Sequence, residues 1–236
     1  MAKLGEQPHT KPKLTARIAT FVQANRLIFL VAIGLVFAVI IGFVVFSEIR
    51  SARTQKSTVM VEQAQSDYNE WSTASDSNKK DIEAKLLSEL DVIVKRYPHL
   101  YSAQRALFIR GNLYYDKKEW KLAAENYTRL ATSFPRSYLA AVGLLDAGAA
   151  YEQAGDNSSA VKQYQTIVSS YGKDNPEKPM ALFSLGRLAE GTKDYKEAKV
   201  QYDKLVNDFP SSSWTNLARD RIIYLQTEGL IPQKQG

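Results

Sequence analysis

The sequence predicts an all-α protein in which an N-terminal helix long enough to cross a bilayer precedes a solenoid of helical hairpins. Two observations carry that expectation. Leu27 through Phe46 is a run of 20 residues with no charged or strongly polar side chain, and at about 1.5 Å per residue it reaches about 30 Å, the thickness of a bilayer core. Further along, small and aromatic residues return in step: Gly111, Ala123 and Tyr127, then Gly148, Ala160 and Tyr164, then Gly186, Ala198 and Tyr202. Each series advances by 37 and then 38 residues, a register that chance would not keep in three series at once.

At 236 residues, 44% hydrophobic and 24% charged, the composition is that of an ordinary folded protein with room for one solenoid domain. There is no Cys. Its absence removes disulfides, thiolate nucleophiles and Cys-ligated metals together, and says little about compartment.

Residues 1–26 read as a basic, cytoplasmic tail. Pro8 and Pro12 among Lys and Gln imply disorder over the first dozen residues. From Lys13 to Arg26, Leu14, Ile18, Phe21 and Val22 share a face with Lys13 and Arg17 beside it. Either this is an amphipathic helix lying at a membrane surface, or it is a frayed lead-in to the next helix; Asn25 interrupts the face. Residues 27–46 form the expected transmembrane helix. A cleaved signal peptide would have a shorter apolar run, about 7 to 15 residues, ending in small residues, whereas Ser47-Glu48-Ile49-Arg50 follows here. An uncleaved anchor is the better reading. Lys3, Lys11, Lys13, Arg17 and Arg26 precede the span and Arg50, Arg53 and Lys56 follow it. By the positive-inside rule the N-terminus is cytoplasmic, which in a bacterium puts a single-pass protein in the inner membrane with its C-terminal domain in the periplasm. The bias is modest, and the reverse topology stays open. Gly34, Ala38 and Gly42 lie four apart, the spacing that admits a second transmembrane helix, although small residues are common in membrane helices for other reasons.

Residues 47–98 continue the helix with Ala64, Tyr68 and Trp71 on one stripe. After Ser75-Asp76-Ser77-Asn78 they form a second helix on Ile82, Leu86, Leu90, Ile93 and Tyr97, together a degenerate first hairpin. Residues 99–225 hold three hairpin units and a terminal capping helix. Helical spacing of Leu107, Gly111 and Tyr114, and then of Trp120, Ala123, Tyr127 and Leu130, defines the two helices of the first unit. Polar or Gly residues turn each hairpin, at 116–118, 155–157 and 191–194. Tyr97-Pro98, Phe134-Pro135 and Phe209-Pro210 stop second helices, and Tyr171-Gly172 takes the same place once. Gly and Ala permit close approach of the helices, with the aromatic filling space between neighbouring hairpins. Residues 226–236 lack periodicity and read as a loose tail.

This arrangement of small residues, aromatics and a terminal Pro resembles the tetratricopeptide repeat (TPR) from about Ala103 to Pro210, with a period about three residues longer than the family's usual 34 or so. The excess falls at the start of the first helix, and the Phe-Pro-x-Ser stretches at 134–137 and 209–212 are similar to those of its envelope-assembly members. The resemblance implies that first helices line a concave groove, here Arg105, Phe108, Asn112 and Tyr115, then Val142, Leu145, Ala149 and Glu152, then Phe183, Arg187 and Glu190. Family members that clamp a C-terminal carboxylate carry Lys or Arg with Asn there; only Asn112 fits, so the apolar row Phe108, Leu145 and Phe183 instead suits an extended peptide or amphipathic helix. Equally, these three residues complete packing between hairpins, or receive the protein's own tail.

Catalysis is not expected. His9 and His99 make no metal-ligand pair, no phosphate loop or nucleophile elbow can be matched, and no cofactor or metal is implied. The pI of about 9.3 does not imply nucleic acid. Residues 1–26 hold five cations and one anion, leaving 26 cations against 24 anions for the rest; the charge belongs to the tail, where it sets topology and meets anionic lipid. The expected function is that of a membrane-anchored scaffold binding proteins or extended peptide segments. Its layout is similar to ancillary subunits of the bacterial translocation channel, which implies translocation, periplasmic chaperone hand-over or envelope assembly. The alternative is a structural subunit of a membrane complex assembled through its transmembrane helix.

Overall fold

In the computed structural model, residues 14–232 are described, and every element among them is an α-helix. The disorder expected over residues 1–12, and His9 with it, falls outside the described residues. The chain divides into two compact units, residues 1–53 and 54–236.

In the first unit, α1 (Leu14–Ala24) is followed by a break at Asn25 and by the start of α2 (Arg26–Thr73). Asn25, expected only to interrupt the apolar face, stands between the two helices, and its side-chain amide donates to the Phe21 carbonyl at 2.9 Å. Leu14, Ile18 and Phe21 are exposed, and Phe21 meets Phe29 edge-on at 6.1 Å. The apolar part of α2 is long enough to cross a membrane, and none of it is buried.

The second unit begins within α2. Val61, Ala64 and Trp71 pack with Leu86, Leu90 and Ile93 of α3 (Asp76–Arg96). Three full hairpins follow: α4 (Tyr101–Asp116) with α5 (Trp120–Ser133), α6 (Tyr138–Gln153) with α7 (Asn157–Ser170), and α8 (Lys178–Gly191) with α9 (Tyr195–Asp208). Both α4 and α6 have 16 residues, and the second helices have 14 each. The third unit departs from the expected long first helix. α8 has only 14 residues, because residues 171–177 form a longer connection and Pro179, in the first turn, favours a start there rather than earlier.

The repeat signature explains itself in the packing. A Cβ placed on Gly111, Gly148 or Gly186 would lie 2.4, 2.4 and 2.3 Å from Cε1 of Tyr127, Tyr164 and Tyr202 respectively. Each ring therefore packs against its own hairpin's Gly, a correction to the expectation that it fills the space between neighbouring hairpins. Tyr127 also packs with Ala147 and Ala150 of the next hairpin. Ala123, Ala160 and Ala198 are fully buried. The stops before Pro98, Pro135 and Pro210 share one geometry: Tyr97, Phe134 and Phe209 leave helical ψ while their N–H groups still reach Ile93, Leu130 and Leu205 carbonyls.

All three hairpin turns need one left-handed residue, supplied by Lys118 (φ 61°), Gly155 (φ 74°) and Lys193 (φ 62°). A side chain disfavours that conformation and Gly does not. Lys193→Gly is therefore expected to stabilise the protein by about 0.5–1 kcal/mol. Gly155→Lys should destabilise it similarly, and thermal melting of both variants checks the pair.

The last described helix, α10 (Ser213–Thr227), starts as α6 does: Ser137 and Ser212 each accept the N–H two residues on, at 3.1 and 3.3 Å. It occupies the place of a further first helix after the three hairpins. Gly229 (φ 69°) turns the chain, and the Leu230 N–H bonds the Leu225 carbonyl at 2.9 Å. Glu119, Asp156 and Asp194 make the same bond to Tyr114, Tyr151 and Ala189 in the complete turns. Ile231 is consequently buried beside Leu225. Residues 226–232 are thus not the loose tail expected; a lone apolar residue after a Gly turn carries too little periodicity to be read.

Candidate peptide-binding face

The polar residues assigned to the groove are tied to one another. Tyr127, Tyr164 and Tyr202 each extend a hydroxyl past the Gly beneath the ring, and each donates to its own first helix. The acceptors are Asn112 Oδ1 at 2.6 Å, Glu152 Oε1 at 2.8 Å and Glu190 Oε1 at 2.6 Å. Arginines of the following first helix then close two of these positions. Arg187 donates to Glu152 at 2.7 Å, and Arg221 of α10 grips Glu190 in a two-toothed pair, Nε at 3.0 Å from Oε1. Arg105 pairs with Glu62 of α2. Burial pushes the Glu190 carboxyl up, but hydrogen bonds from Arg221 and Tyr202 outweigh it and hold the carboxyl below its ordinary value. These contacts leave Glu152 and Glu190 largely satisfied from within.

Among the apolar candidates, Leu145 is buried. Phe183 lies between Tyr202 and Trp214, centroids 5.7 and 5.2 Å away. Packing therefore occupies much of that row. Phe108 leans on Tyr127 at 5.7 Å, and Tyr115 meets Trp120 edge-on at 4.9 Å. Both rings, together with Val142 and Ala149, stay partly exposed. Near the N-terminus, nothing lies within 4 Å of a Cβ added to Gly34 or Gly42, and Ala38 is exposed. That face is uncovered, and no other element is brought to it among the described residues.

One residue of this face was missed. Asp146 sits on α6, whose remaining residues up to Ala150 are apolar or Gly. It is half-buried, no hydrogen bond or ion pair reaches it among the described residues, and burial, with the Glu177 charge at the head of α8 adding to it, raises its carboxyl to about 6. Tyr127 is pushed up as well, by its own burial first and by the Asp146 charge second. A lone acid in so apolar a helix was the available signal.

Comparison with known proteins bears on this fold directly. Residues 105–137 and residues 145–212 each match a family model described as "Tetratricopeptide repeat". The hairpins are tetratricopeptide repeats. A "TPR repeat-containing protein" of Treponema pallidum (strain Nichols) is 31% identical over 119 residues, 50% of this chain and 49% of the relative. The chain thus spans about half the length of that curated relative. TPR arrays are a non-enzymatic, protein-interaction fold, and on this array Phe108, Asn112, Tyr115 and Asp146 are all partly exposed on first helices.

Proposed function

We propose that this protein is a single-pass, membrane-anchored TPR adaptor of the bacterial cell envelope, with its N-terminus in the cytoplasm and its repeats in the periplasm. One observation carries the reading: a stretch of α2 long and apolar enough to cross a membrane is wholly exposed, on a chain whose other folded part is an interaction fold. Exposing so many large apolar side chains to water would be costly, and lipid removes that cost. The exposed Leu14, Ile18 and Phe21 of α1 suit the headgroup boundary in the same way. Tethering confines the repeats to the membrane surface and raises their effective concentration toward membrane-associated partners, so that weak contacts suffice. The partners are extended or amphipathic protein segments bound on the first-helix face. The layout favours protein translocation, chaperone hand-over or envelope assembly.

The chain has no Cys, so a single thiol can report its side of the membrane. Ser158 is exposed at the head of α7. In intact cells, Ser158→Cys should react with a membrane-impermeant thiol reagent without lysis. Protection until the membrane is opened would reverse the topology and replace the envelope adaptor by a cytoplasmic recruiting platform.

A further inference from the structure

The first-helix face is closed at two steps and open at one. Between the second and third hairpins Glu152 meets Arg187, and between the third hairpin and α10 Glu190 meets Arg221. Both pairs join a carboxylate beside the repeat Tyr to a guanidinium from the next first helix. Asp146 is the counterpart of Arg221: each lies nine residues after the capping serine, Ser137 in one helix and Ser212 in the other. Tyr115 is the counterpart of Glu152 and Glu190, 37 residues before the first of them. At the step between the first and second hairpins the acid therefore stands where Arg221 stands at the last step and Ser184 at the middle one, and the residue in the place of Glu152 and Glu190 is the neutral Tyr115. That step has a carboxylate and no guanidinium.

Its surroundings fit the missing group. Phe108 and Tyr115 pack around Tyr127, which itself contacts α6 at Ala147, next in sequence to Asp146. Both aromatic rings are partly exposed, and Ala149, at the position Arg187 takes one unit later, leaves room. A half-buried carboxylate close to Tyr127, against which Phe108 packs, attracts a guanidinium or ammonium by ion pairing, and the rings add cation–π attraction. No cation of the chain supplies it among the described residues; the charged group facing it is the acidic Glu177 from α8, and from α5 it is the neutral Tyr127.

We infer that Asp146, with Phe108 and Tyr115, forms a pocket for an Arg or Lys side chain of a bound protein segment, which completes from outside the step that Arg187 and Arg221 complete from within. The segment carries that cation beside an apolar residue, because Val142, one helical turn before Asp146, and the ring of Phe108 are partly exposed. The inference rests on the peptide-binding reading above and adds a charge requirement to it.

The test uses the full-length protein in nanodiscs of zwitterionic lipid, so that basic probes find no anionic headgroups. The probes are fluorescein-labelled nonapeptides of alternating Ser and Leu whose central residue is Arg, Lys, citrulline or norleucine, read by anisotropy at pH 7.5. Arg and Lys peptides should bind at least tenfold tighter than citrulline and norleucine, as expected for one charge-assisted hydrogen-bonded contact. In Asp146→Asn that preference should fall to within twofold while the norleucine peptide keeps its affinity, which also shows that the variant is folded. Equal binding of Arg and citrulline by the wild type, or a preference that survives Asp146→Asn, overturns the pocket. In either case, binding of the norleucine peptide that is weakened by Phe108→Ser would leave the peptide-binding reading standing. If none of the four peptides binds, both fail together.

Discussion

Gly148→Ala is expected to lower the melting temperature by roughly 6–12 °C, the equivalent of about 3 kcal/mol in a domain of this size. The added methyl would stand 2.4 Å from Tyr164 Cε1 and 2.5 Å from Cζ, well inside van der Waals contact. A free ring would swing aside. This ring is held at its far end, where its hydroxyl bonds Glu152 and Glu152 in turn holds Arg187 of the next hairpin. The clash is relieved only by parting α6 from α7 or by breaking that chain of polar contacts, and either disturbs the second and third hairpins together. Gly172→Ala is the control, since nothing lies within 4 Å of its added Cβ and its φ is not left-handed; it should change stability by less than about 0.5 kcal/mol. Combining Gly148→Ala with Tyr164→Leu should recover part of the loss, because the two residues share one contact. A melting temperature within 2 °C of wild type for Gly148→Ala alone would show that the ring is not held.

The same contact explains why so much of the fold was legible. Gly and Tyr recur 16 residues apart within each hairpin, as at Gly148 and Tyr164, because the ring needs a bare backbone under it. Three copies of one physical constraint make a pattern that a single copy would not. The left-handed turn was only half visible: Gly155 announces it, whereas Lys118 and Lys193 take the same conformation with no compositional sign. Ile231 escaped notice for a related reason, since a lone apolar residue two positions after Gly229 shows no periodicity. The candidate site was read less well than the fold. Glu152, Glu190 and Arg187 share a face by spacing, but spacing does not say whether they point at a ligand or at one another, and the structure pairs Glu152 with Arg187 and Glu190 with Arg221. Phe183 and Leu145 were ambiguous between binding and packing for the same reason, and neighbouring rings and helices claim most of their surface. Asp146 was visible only as a lone acid in an apolar helix, and its match to Arg221 needed the offset from the capping serines, Ser137 and Ser212, to be carried into α10, which lacks the repeat's Gly.

Asp146→Asn is expected to stabilise the protein at neutral pH and to leave it nearly unchanged near pH 3. In the folded chain this carboxyl is raised from an ordinary 3.8 to about 6, burial being the larger cause and the Glu177 charge the smaller. Between those values the folded state binds the proton and the unfolded state does not. Stability contributed by the protonated group is therefore full below about pH 4, is lost as the pH rises through 6, and does not return above it. A shift of about 2 units corresponds to about 3 kcal/mol between the two limits, roughly 6–12 °C in melting temperature. Asn, similar in shape and uncharged, carries no such penalty, so the difference between variant and wild type should open between pH 4 and pH 7 and then stay level. Glu190 runs the opposite way: its carboxyl is lowered, so its contribution is present at neutral pH and fades as acid protonates it. Melting curves of the wild type and of Asp146→Asn at half-unit intervals from pH 3.5 to 8 separate the two, because only the Asp146 part disappears in the variant. A constant difference across the whole range would mean that the Asp146 carboxyl is not raised in the folded protein, and a difference of the opposite slope would mean that it already has a cationic partner there. An ionised, unpartnered carboxylate kept at such a cost on the face of an interaction fold is consistent with a residue retained for what it binds.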